Sequence, residues 1–554
     1  MPSDATDAGL AEIKQLLQTK KALTPVRRED LSATQAKRII RSHMFLKAKY
    51  DALGHFQKIK ARLVADGSGQ DRALYPDTSS PTADLHSLYM MLAIAANKKQ
   101  KAAVIDIGGA YLNAKMTGEP TYIEMDSHLV SLAKQMDPTL ESFVDKRGKL
   151  VMRLDKALYG CVQSARLWYD HLAEVLCKMG FVPNDVDKCV FNRGQGATRC
   201  SLVVFVDDIL ALSESTQELN DVIDKLKAEF EDVKAEHSTD FSYLGMRIQM
   251  EAGKVRIGME GYIQELMRET GTDRGVKTPA TASLFEDGDG TVLTAKERER
   301  FHAIVAKLLY LATRVRPETL TTVVYLCTRV KEPTTVDQAK LTRLLQYVYH
   351  TGDTGITISG EGIDVVTGMI DASFAQHKDG KSQSGMAIML GKSCVWVKSS
   401  KQKIVSKDST EAELVALSDM MRYVDQCNSF MVAQGMIMKT PELCQDNMST
   451  ISLVTKGGGA YRNKYMRVRQ ANVKERVDRG DFTVRYIPTD SMVADILTKA
   501  VQGAVFVRLR DMVQGHGTGV CDEEQQGCVE DCGKDGPWEI VLPRRGKKTN
   551  AHTK

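Results

Sequence analysis

The chain has 554 residues, 43% apolar and 26% charged, with a formal net charge of +4. That length exceeds a single core and predicts about three or four domains, and the ordinary composition excludes a disordered, fibrous or low-complexity protein. The near-neutral total says little about partners, although basic residues cluster in 41–62 and 462–479. Eleven cysteines lie scattered without paired spacing, which fits free thiols in a reducing compartment. The N-terminus lacks the basic-then-apolar order of a signal peptide, and no apolar run is long enough for a membrane span. An intracellular protein without a membrane partner is expected.

In chain order, the first forty residues are polar and helix-prone and carry no readable chemistry. Residues 41–64 read as a basic hairpin with strands near 43–49 and 56–64, and 85–96 as a helix. Apolar strands at 102–105 and 201–206 each run directly into aspartate, with a long amphipathic helix, 158–178, between them. A helix at 220–230 and a strand at 243–250 follow, then an acidic, glycine-containing linker at 285–291 and a helical stretch, 295–330. A new mixed unit opens near 364 with a strand at 365–370 and continues to about 499. The last fifty residues, rich in Gly, Lys and acids, read as weakly ordered, and no internal repeat is present.

Phe205-Val206-Asp207-Asp208 ends an apolar run in two adjacent carboxylates, and Asp106 ends another about a hundred residues earlier. Asp-Asp is also a common turn dipeptide. At a hairpin tip, however, two carboxylates can approach one cation, and their mutual repulsion demands one. Magnesium, a hard cation that takes carboxylate and phosphate oxygens, meets that demand. Three carboxylates on neighbouring strands suit a two-metal site.

The surrounding text is more specific. Lys60-Ala61-Arg62-Leu63-Val64-Ala65, Val104-Ile105-Asp106-Ile107-Gly108-Gly109-Ala110-Tyr111-Leu112-Asn113, and Leu158-Tyr159-Gly160-Cys161-Val162-Gln163-Ser164-Ala165-Arg166-Leu167-Trp168-Tyr169 occur in that order. Phe205-Val206-Asp207-Asp208 and Phe241-Ser242-Tyr243-Leu244-Gly245-Met246 complete the series. These blocks resemble, in family order and spacing from about 40 to 280, the reverse transcriptase of copia-type LTR retrotransposon Pol polyproteins. The fourth matches its "YVDD" box with Phe for Tyr. The resemblance implies that Asp106, Asp207 and Asp208 bind two catalytic magnesium ions, or manganese. It places Tyr111 under the incoming sugar, where its ring excludes a ribose 2′ hydroxyl; an ordinary core tyrosine is the alternative. Lys60 and Arg62 are expected on the triphosphate, or else on a solvated strand face. Gln163 is expected to line the template–nucleotide pocket, with a helix-cap or surface role as the alternative.

A second set of acids follows. Met369-Ile370-Asp371-Ala372-Ser373 reads as a strand ending in Asp, and Leu443-Cys444-Gln445-Asp446-Asn447 as another. Ser409-Thr410-Glu411-Ala412-Glu413-Leu414 reads as a helix start that Ser409 or Thr410 caps. Glu411 and Glu413, two apart, cannot share a face; Glu413 is the expected ligand and Glu411 a favourable charge at the helix N-terminus. Asp495 is expected on a final helix. Singly, a strand-end Asp is usually a turn or cap. The order Asp371, Glu413, Asp446, Asp495 resembles ribonuclease H, and Val395-Trp396-Val397-Lys398-Ser399-Ser400-Lys401-Gln402 ahead of the Ser-Thr-Glu-Ala-Glu block resembles the copia type in particular. Two magnesium ions activating water against an RNA phosphodiester are implied here too.

Some residues depart from the family. The basic stretch 461–480 reads Arg462-Asn463-Lys464-Tyr465-Met466-Arg467-Val468-Arg469-Gln470-Ala471 where "RTKHIDIRYH" is usual, so both histidines are missing and slower hydrolysis is implied. Asp66 stands where the family usually has Arg, near the expected template path. Cys521, Cys528 and Cys532, with His516, have spacings that fit zinc poorly.

The expected fold is α+β and multidomain: a right-hand polymerase followed by a ribonuclease H-like domain with a mixed sheet. Its divisions are 1–40 as a polar N-terminal segment, 41–280 as fingers and palm, and 281–363 as thumb and connection helices. Residues 364–500 follow as the ribonuclease H-like domain and 501–554 as a tail. RNA template, DNA primer, RNA–DNA hybrid and deoxynucleoside triphosphates are the expected partners, in cytoplasmic virus-like particles and the nucleus; oligomeric state is not readable. Integration would need proteins made elsewhere, so the end of a longer polyprotein or a truncated reading frame is expected. The alternative is a decayed or domesticated element product that binds nucleic acid without catalysis, against which all seven acids survive.

Overall fold

The computed structural model describes residues 2–50, 56–75, 77–457, 461 and 463–517. Four sheets organise them, each flanked by helices, in an α+β arrangement. The first has the order Leu23–Val26, Leu150–Leu154, Tyr122–Met125, Ile40–Tyr50, Phe56–Ala65. The last two strands form the long basic hairpin, in which Phe45 pairs with Arg62 and Lys47 with Lys60. The first forty residues contribute more than their polarity implies. The helix Pro2–Lys14 packs on Phe56–Ala65, and Ile13 and Leu16 are fully buried there. A narrow apolar stripe suffices for this, laid between that strand and the helix Ser127–Met136.

The six-stranded sheet runs Val233–His237, Lys101–Ile107, Asp208–Ser213, Cys200–Phe205, Val190–Arg193, Val182–Pro183. Side chains alternate between its faces. Ala103, Ile105, Leu202, Val204, Ile209 and Ala211 face the helices Ser164–Lys178 and Thr216–Glu229. Ala102, Val203, Leu210 and Leu212 face the helix Leu85–Asn97, which is buried from His86 to Ala96. A helix apolar on all sides must be covered on all sides. Its far side meets the C-terminal unit: His86 stacks on Trp396 at 3.7 Å between centroids, and Asn97 Nδ2 donates to the Gly360 carbonyl at 2.8 Å.

A four-stranded sheet, Asp240–Tyr243, Met246–Glu251, Lys254–Gly258, Ile356–Ser359, joins the two regions. Residues 243–250, expected as one strand, form a hairpin instead, because Leu244 and Gly245 take positive φ (52° and 77°) and turn the chain. The stretch 295–330 is likewise two helices, Ala295–Ala312 and Leu320–Arg329, separated at Pro317. Helix 158–178 begins only at Ser164. The C-terminal sheet is mixed: Ser393–Lys401, Gln383–Leu390 and Val366–Ser373 are antiparallel, and Glu442–Gln445 and Thr483–Tyr486 run parallel to Val366–Ser373. Its two central antiparallel strands are buried on both faces under the helix Ser409–Ala433.

In the stretch expected to be a weakly ordered tail, Gly503–Val513 is a helix with Phe506 and Leu509 buried. Cys521, Cys528 and Cys532 lie outside the described residues. No helix among the described residues is long and apolar enough to cross a membrane.

One ion pair sits wholly inside the helical region. Arg316 Nε lies 2.8 Å from Glu318 Oε1, with neither side chain exposed, and Arg316 Nη1 donates to the Thr351 carbonyl at 3.1 Å while the Tyr347 hydroxyl donates to Glu318. Removing one partner leaves the other charge buried without compensation. Glu318→Ala is therefore expected to cost about 3–5 kcal/mol, read as a lower midpoint of chemical unfolding, while Glu318→Gln keeps an acceptor oxygen and costs less.

Candidate active sites

Antiparallel register brings the first set of acids together. Asp208 opens its strand directly opposite Asp106 on one side and Phe205 on the other. Val206 and Asp207 form the two-residue turn between them, and Val206 carries φ 56°, a left-handed conformation unfavourable for a β-branched residue. Two hydrogen bonds hold it: the Trp168 indole donates to the Val206 carbonyl at 2.7 Å, and the Ile107 amide donates to the Asp207 carbonyl at 3.0 Å. Trp168 is buried and packs edge-on against Phe230. Lys234 stands across Asp106 on its other side, so a cation and two carboxylates share one register line.

Beside this turn, Tyr111 follows Gly109 in a short 3-10 turn. Its ring meets Tyr159 edge-on at 4.8 Å, and the Arg62 guanidinium lies 4.6 Å over the Tyr159 ring. Burial first, and then the Asp207 charge, raise the Tyr111 hydroxyl; burial pushes Tyr159 up to about 12. Arg62, Tyr159, Tyr111 and Asp207 thus form one continuous line, with Lys60 exposed two residues from Arg62 on the same strand face. Gln163 is 6% exposed, accepts from Gln70 Nε2 at 3.0 Å and donates to Thr121, and makes no side-chain helix cap. Tyr159, given no role from the sequence, is the aromatic between Arg62 and Tyr111.

Backbone contact fixes that junction. The Ala65 amide donates to the Tyr159 carbonyl at 2.8 Å, and a Cβ on Gly160 (φ 90°) would sit 2.0 Å from the Ala65 carbonyl oxygen. Beside it, the Leu63 amide donates to Glu12 Oε1 at 3.0 Å; burial raises that carboxyl, opposed by the amide and by the Lys60 and Arg62 charges. Asp66 turns onto its own loop, accepting from the Ser68 amide and hydroxyl, and the Ser68 hydroxyl holds it below the usual carboxylate range.

The second set is tighter. Met369 pairs with Cys444 on adjacent parallel strands, so Asp371 and Asp446, each two residues further on, stand level at the carboxyl ends. Gly385 faces Asp371 across the antiparallel pair, and a Cβ there would meet Thr498 Cγ2 at 2.6 Å; this space admits the turn Val493–Leu497. Asp495 lies in that 3-10 turn and not, as expected, on a helix, because the chain must bend sharply over the strand. Ligand oxygens of Asp371, Asp446 and Asp495 all lie within 4.8 Å of one another, the one acidic group among the described residues that meets this spacing. Asp106, Asp207 and Asp208 share an edge but are not drawn in so closely.

Glu413 completes the set from the helix Ser409–Ala433, 4% exposed and accepting from Gln445 Nε2 at 3.3 Å. Burial, then the charges of Asp371 and Asp446, push its carboxyl well above the usual range. Burial and Asp371 likewise push Asp495 up to about 7. The helix is capped by Asp408, not Ser409 or Thr410: its carboxylate accepts from the Glu411 amide at 2.8 Å. Glu411 accepts from the Lys407 amide at 2.6 Å, at the helix N-terminus. An all-oxygen donor set, in which burial and neighbouring charge raise Glu413 and Asp495, fits a hard divalent cation.

Residues 31–282 match the family described as "Reverse transcriptase (RNA-dependent DNA polymerase)". The chain is 28% identical over 465 residues to the Retrovirus-related Pol polyprotein from transposon RE1 of Arabidopsis thaliana, covering 83% of this chain and 30% of that protein. It is 25% identical over 510 residues to the Transposon Ty1-H Gag-Pol polyprotein of Saccharomyces cerevisiae, covering 88% and 27%. The chain thus spans under a third of the length of these curated relatives. Among solved structures, the foamy viral protease-reverse transcriptase in complex with RNA/DNA hybrid aligns at TM-score 0.47 and 11% identity, covering 85% of this chain and 52% of that one. The match over residues 31–282 and these relatives support the resemblance to copia-type LTR retrotransposon Pol polyproteins and mark a segment similar to reverse transcriptases.

Proposed function

We propose that the chain copies RNA into DNA at Asp106, Asp207 and Asp208 and hydrolyses the RNA of the resulting hybrid at Asp371, Glu413, Asp446 and Asp495. The observation that carries this reading is the presence of two separate carboxylate sets at strand ends in one chain. These acids would hold magnesium, which when bound would supply the Lewis acidity for activating the primer 3′ hydroxyl or a water and for stabilising the leaving oxygen. The chain's own residues do the rest. Arg62 and Lys60 receive the triphosphate, Arg62 being braced on the Tyr159 ring. Tyr159 holds Tyr111 in place, and the Tyr111 ring closes the space a ribose 2′ hydroxyl would need. Gln163 and Gln70 keep the Tyr159 loop in place from behind. RNA template, DNA primer, hybrid and deoxynucleoside triphosphates are the partners. The fingers and palm, 41–280, in this reading take in the N-terminal helix Pro2–Lys14, with thumb and connection helices at 281–363 and the ribonuclease H-like unit at 364–500 following.

Asp207→Asn with Asp208→Asn is expected to reduce primer extension on an RNA template by at least about a thousandfold while leaving hybrid hydrolysis within about twofold, and Asp371→Asn to do the reverse. Gel assays of both activities on each variant check this; loss of both by either change contradicts the assignment. Tyr111→Ala is expected to raise ribonucleotide incorporation relative to deoxynucleotide by about tenfold or more, read from the ratio of kcat/KM values.

The raised Asp495 carboxyl also sets a pH dependence. Its value climbs from 3.8 unfolded to about 7 folded, so the folded state holds the proton more tightly. Its contribution to metal-free stability is present below about pH 4 and is lost as pH rises through about 7. Asp495→Asn lacks this titration, so its melting temperature in EDTA is expected to gain on the parent's between about pH 4 and 7. Saturating Mg2+ is expected to reduce that gain, since metal requires the deprotonated form.

A further inference from the structure

The four-acid set contains a cation of its own. Lys499 lies one turn beyond Asp495, its amide donating to the Asp495 carbonyl at 2.9 Å. Its ammonium is 2.6 Å from Asp495 Oδ1 and 3.5 Å from Asp371 Oδ2. Those two carboxylates are 10% and 1% exposed, whereas the lysine is 37% exposed. Other i,i+4 pairs in the chain, such as Arg166 with Asp170 or Lys225 with Asp221, join solvent-exposed partners, where an ion pair holds little together. Lys499 instead bridges two nearly buried acids from different elements, a strand and the turn packed over it. The neighbouring Thr498, itself buried, donates its hydroxyl to the same Asp371 Oδ2.

We propose that Lys499 is a built-in counter-cation: a positioning residue that holds Asp371 and Asp495 together without metal and competes with magnesium for their oxygens. The inference rests on the reading of this set as a metal site. A divalent ion and the ammonium draw on the same two carboxylates, so metal entry must release the lysine. Its four-carbon stem is flexible and its head already partly reaches solvent, where a phosphate of a bound hybrid can receive it. Magnesium therefore binds weakly to the free protein and more tightly once nucleic acid has drawn the lysine away. Premature metal loading, with water activated and no substrate in place, is disfavoured.

The test uses the full chain carrying Asp207→Asn and Asp208→Asn, so that the polymerase acids do not report. Thermal unfolding is followed in EDTA and along a Mg2+ titration without nucleic acid. Lys499→Met keeps most of the stem but removes the charge. It is expected to melt lower than its parent in EDTA by about 2 °C or more and to reach half of its Mg2+-induced rise at a concentration about fivefold or more lower. Lys499→Arg keeps the charge and is expected to stay near the parent in both. If the parent responds to Mg2+ and Lys499→Met titrates with an unchanged midpoint, whether or not it melts lower in EDTA, the lysine's role is overturned and the metal site stands. Lys499→Arg titrating like Lys499→Met also overturns it, since a packing role would explain both. A parent with no Mg2+ response, indistinguishable from an added Asp371→Asn, overturns the metal-site reading and this proposal together.

Discussion

Carboxylates at close range repel, by about 4 kcal/mol for a pair 4 Å apart at the effective dielectric of a protein surface, and a fold that gathers them must counter that repulsion. Here the gathering is done by β-pairing. Register places Asp106 opposite Asp208 in one sheet, and parallel strands bring Asp371 level with Asp446 in another. Neither arrangement can relax by sliding, because a one-residue slip would exchange the residues packed on the two buried faces of each sheet. The cores therefore hold the acids where their charges conflict, and the chemistry follows from that conflict. In the C-terminal set burial and the neighbouring charges push Glu413 and Asp495 upward, and a lysine is drawn in between Asp371 and Asp495.

The strain is countered locally as well. Val206 adopts its left-handed turn only with the Trp168 indole bonded to its carbonyl, so a helix on one face of the sheet fixes the turn that carries Asp207. Gly160 lets the Tyr159 loop approach the edge of the basic hairpin closely enough for a backbone hydrogen bond. That contact carries the hairpin's Arg62 onto the same ring that supports Tyr111. The buried helix Leu85–Asn97 performs the equivalent task on a larger scale, packing the six-stranded sheet on one side and the C-terminal unit on the other. Through His86 on Trp396, the two acid sets are held within one continuous core.

Much of this was legible in the sequence. Apolar runs that end in acid marked Asp106, Asp207, Asp208, Asp371 and Asp446, because a strand's burial and its polar terminus are both local properties. What depends on distant partners was not. The turn at Val206 rests on an indole from another element, and the place of Tyr159 beside Arg62 rests on a strand-edge contact across the first sheet's boundary. Asp408 caps its helix where Ser409 or Thr410 seemed suited, since the cap is set by where the chain turns and not by residue preference alone. Asp495 sits in a 3-10 turn because Gly385 leaves space for it, a fact invisible in the run around Asp495 itself. The N-terminal stretch looked featureless because its contribution to the core is only a narrow stripe.

The central claim is that one chain both extends a primer and removes the template it has copied. The most direct measurement follows both strands in a single reaction: a labelled DNA primer annealed to a differently labelled RNA template, incubated with the purified chain, deoxynucleotides and Mg2+. The expected result is primer lengthening accompanied by shortening of the copied RNA, both abolished by EDTA. Unchanged primer and RNA, with a folded chain that still binds the hybrid, would contradict the claim and leave a nucleic-acid binder without catalysis.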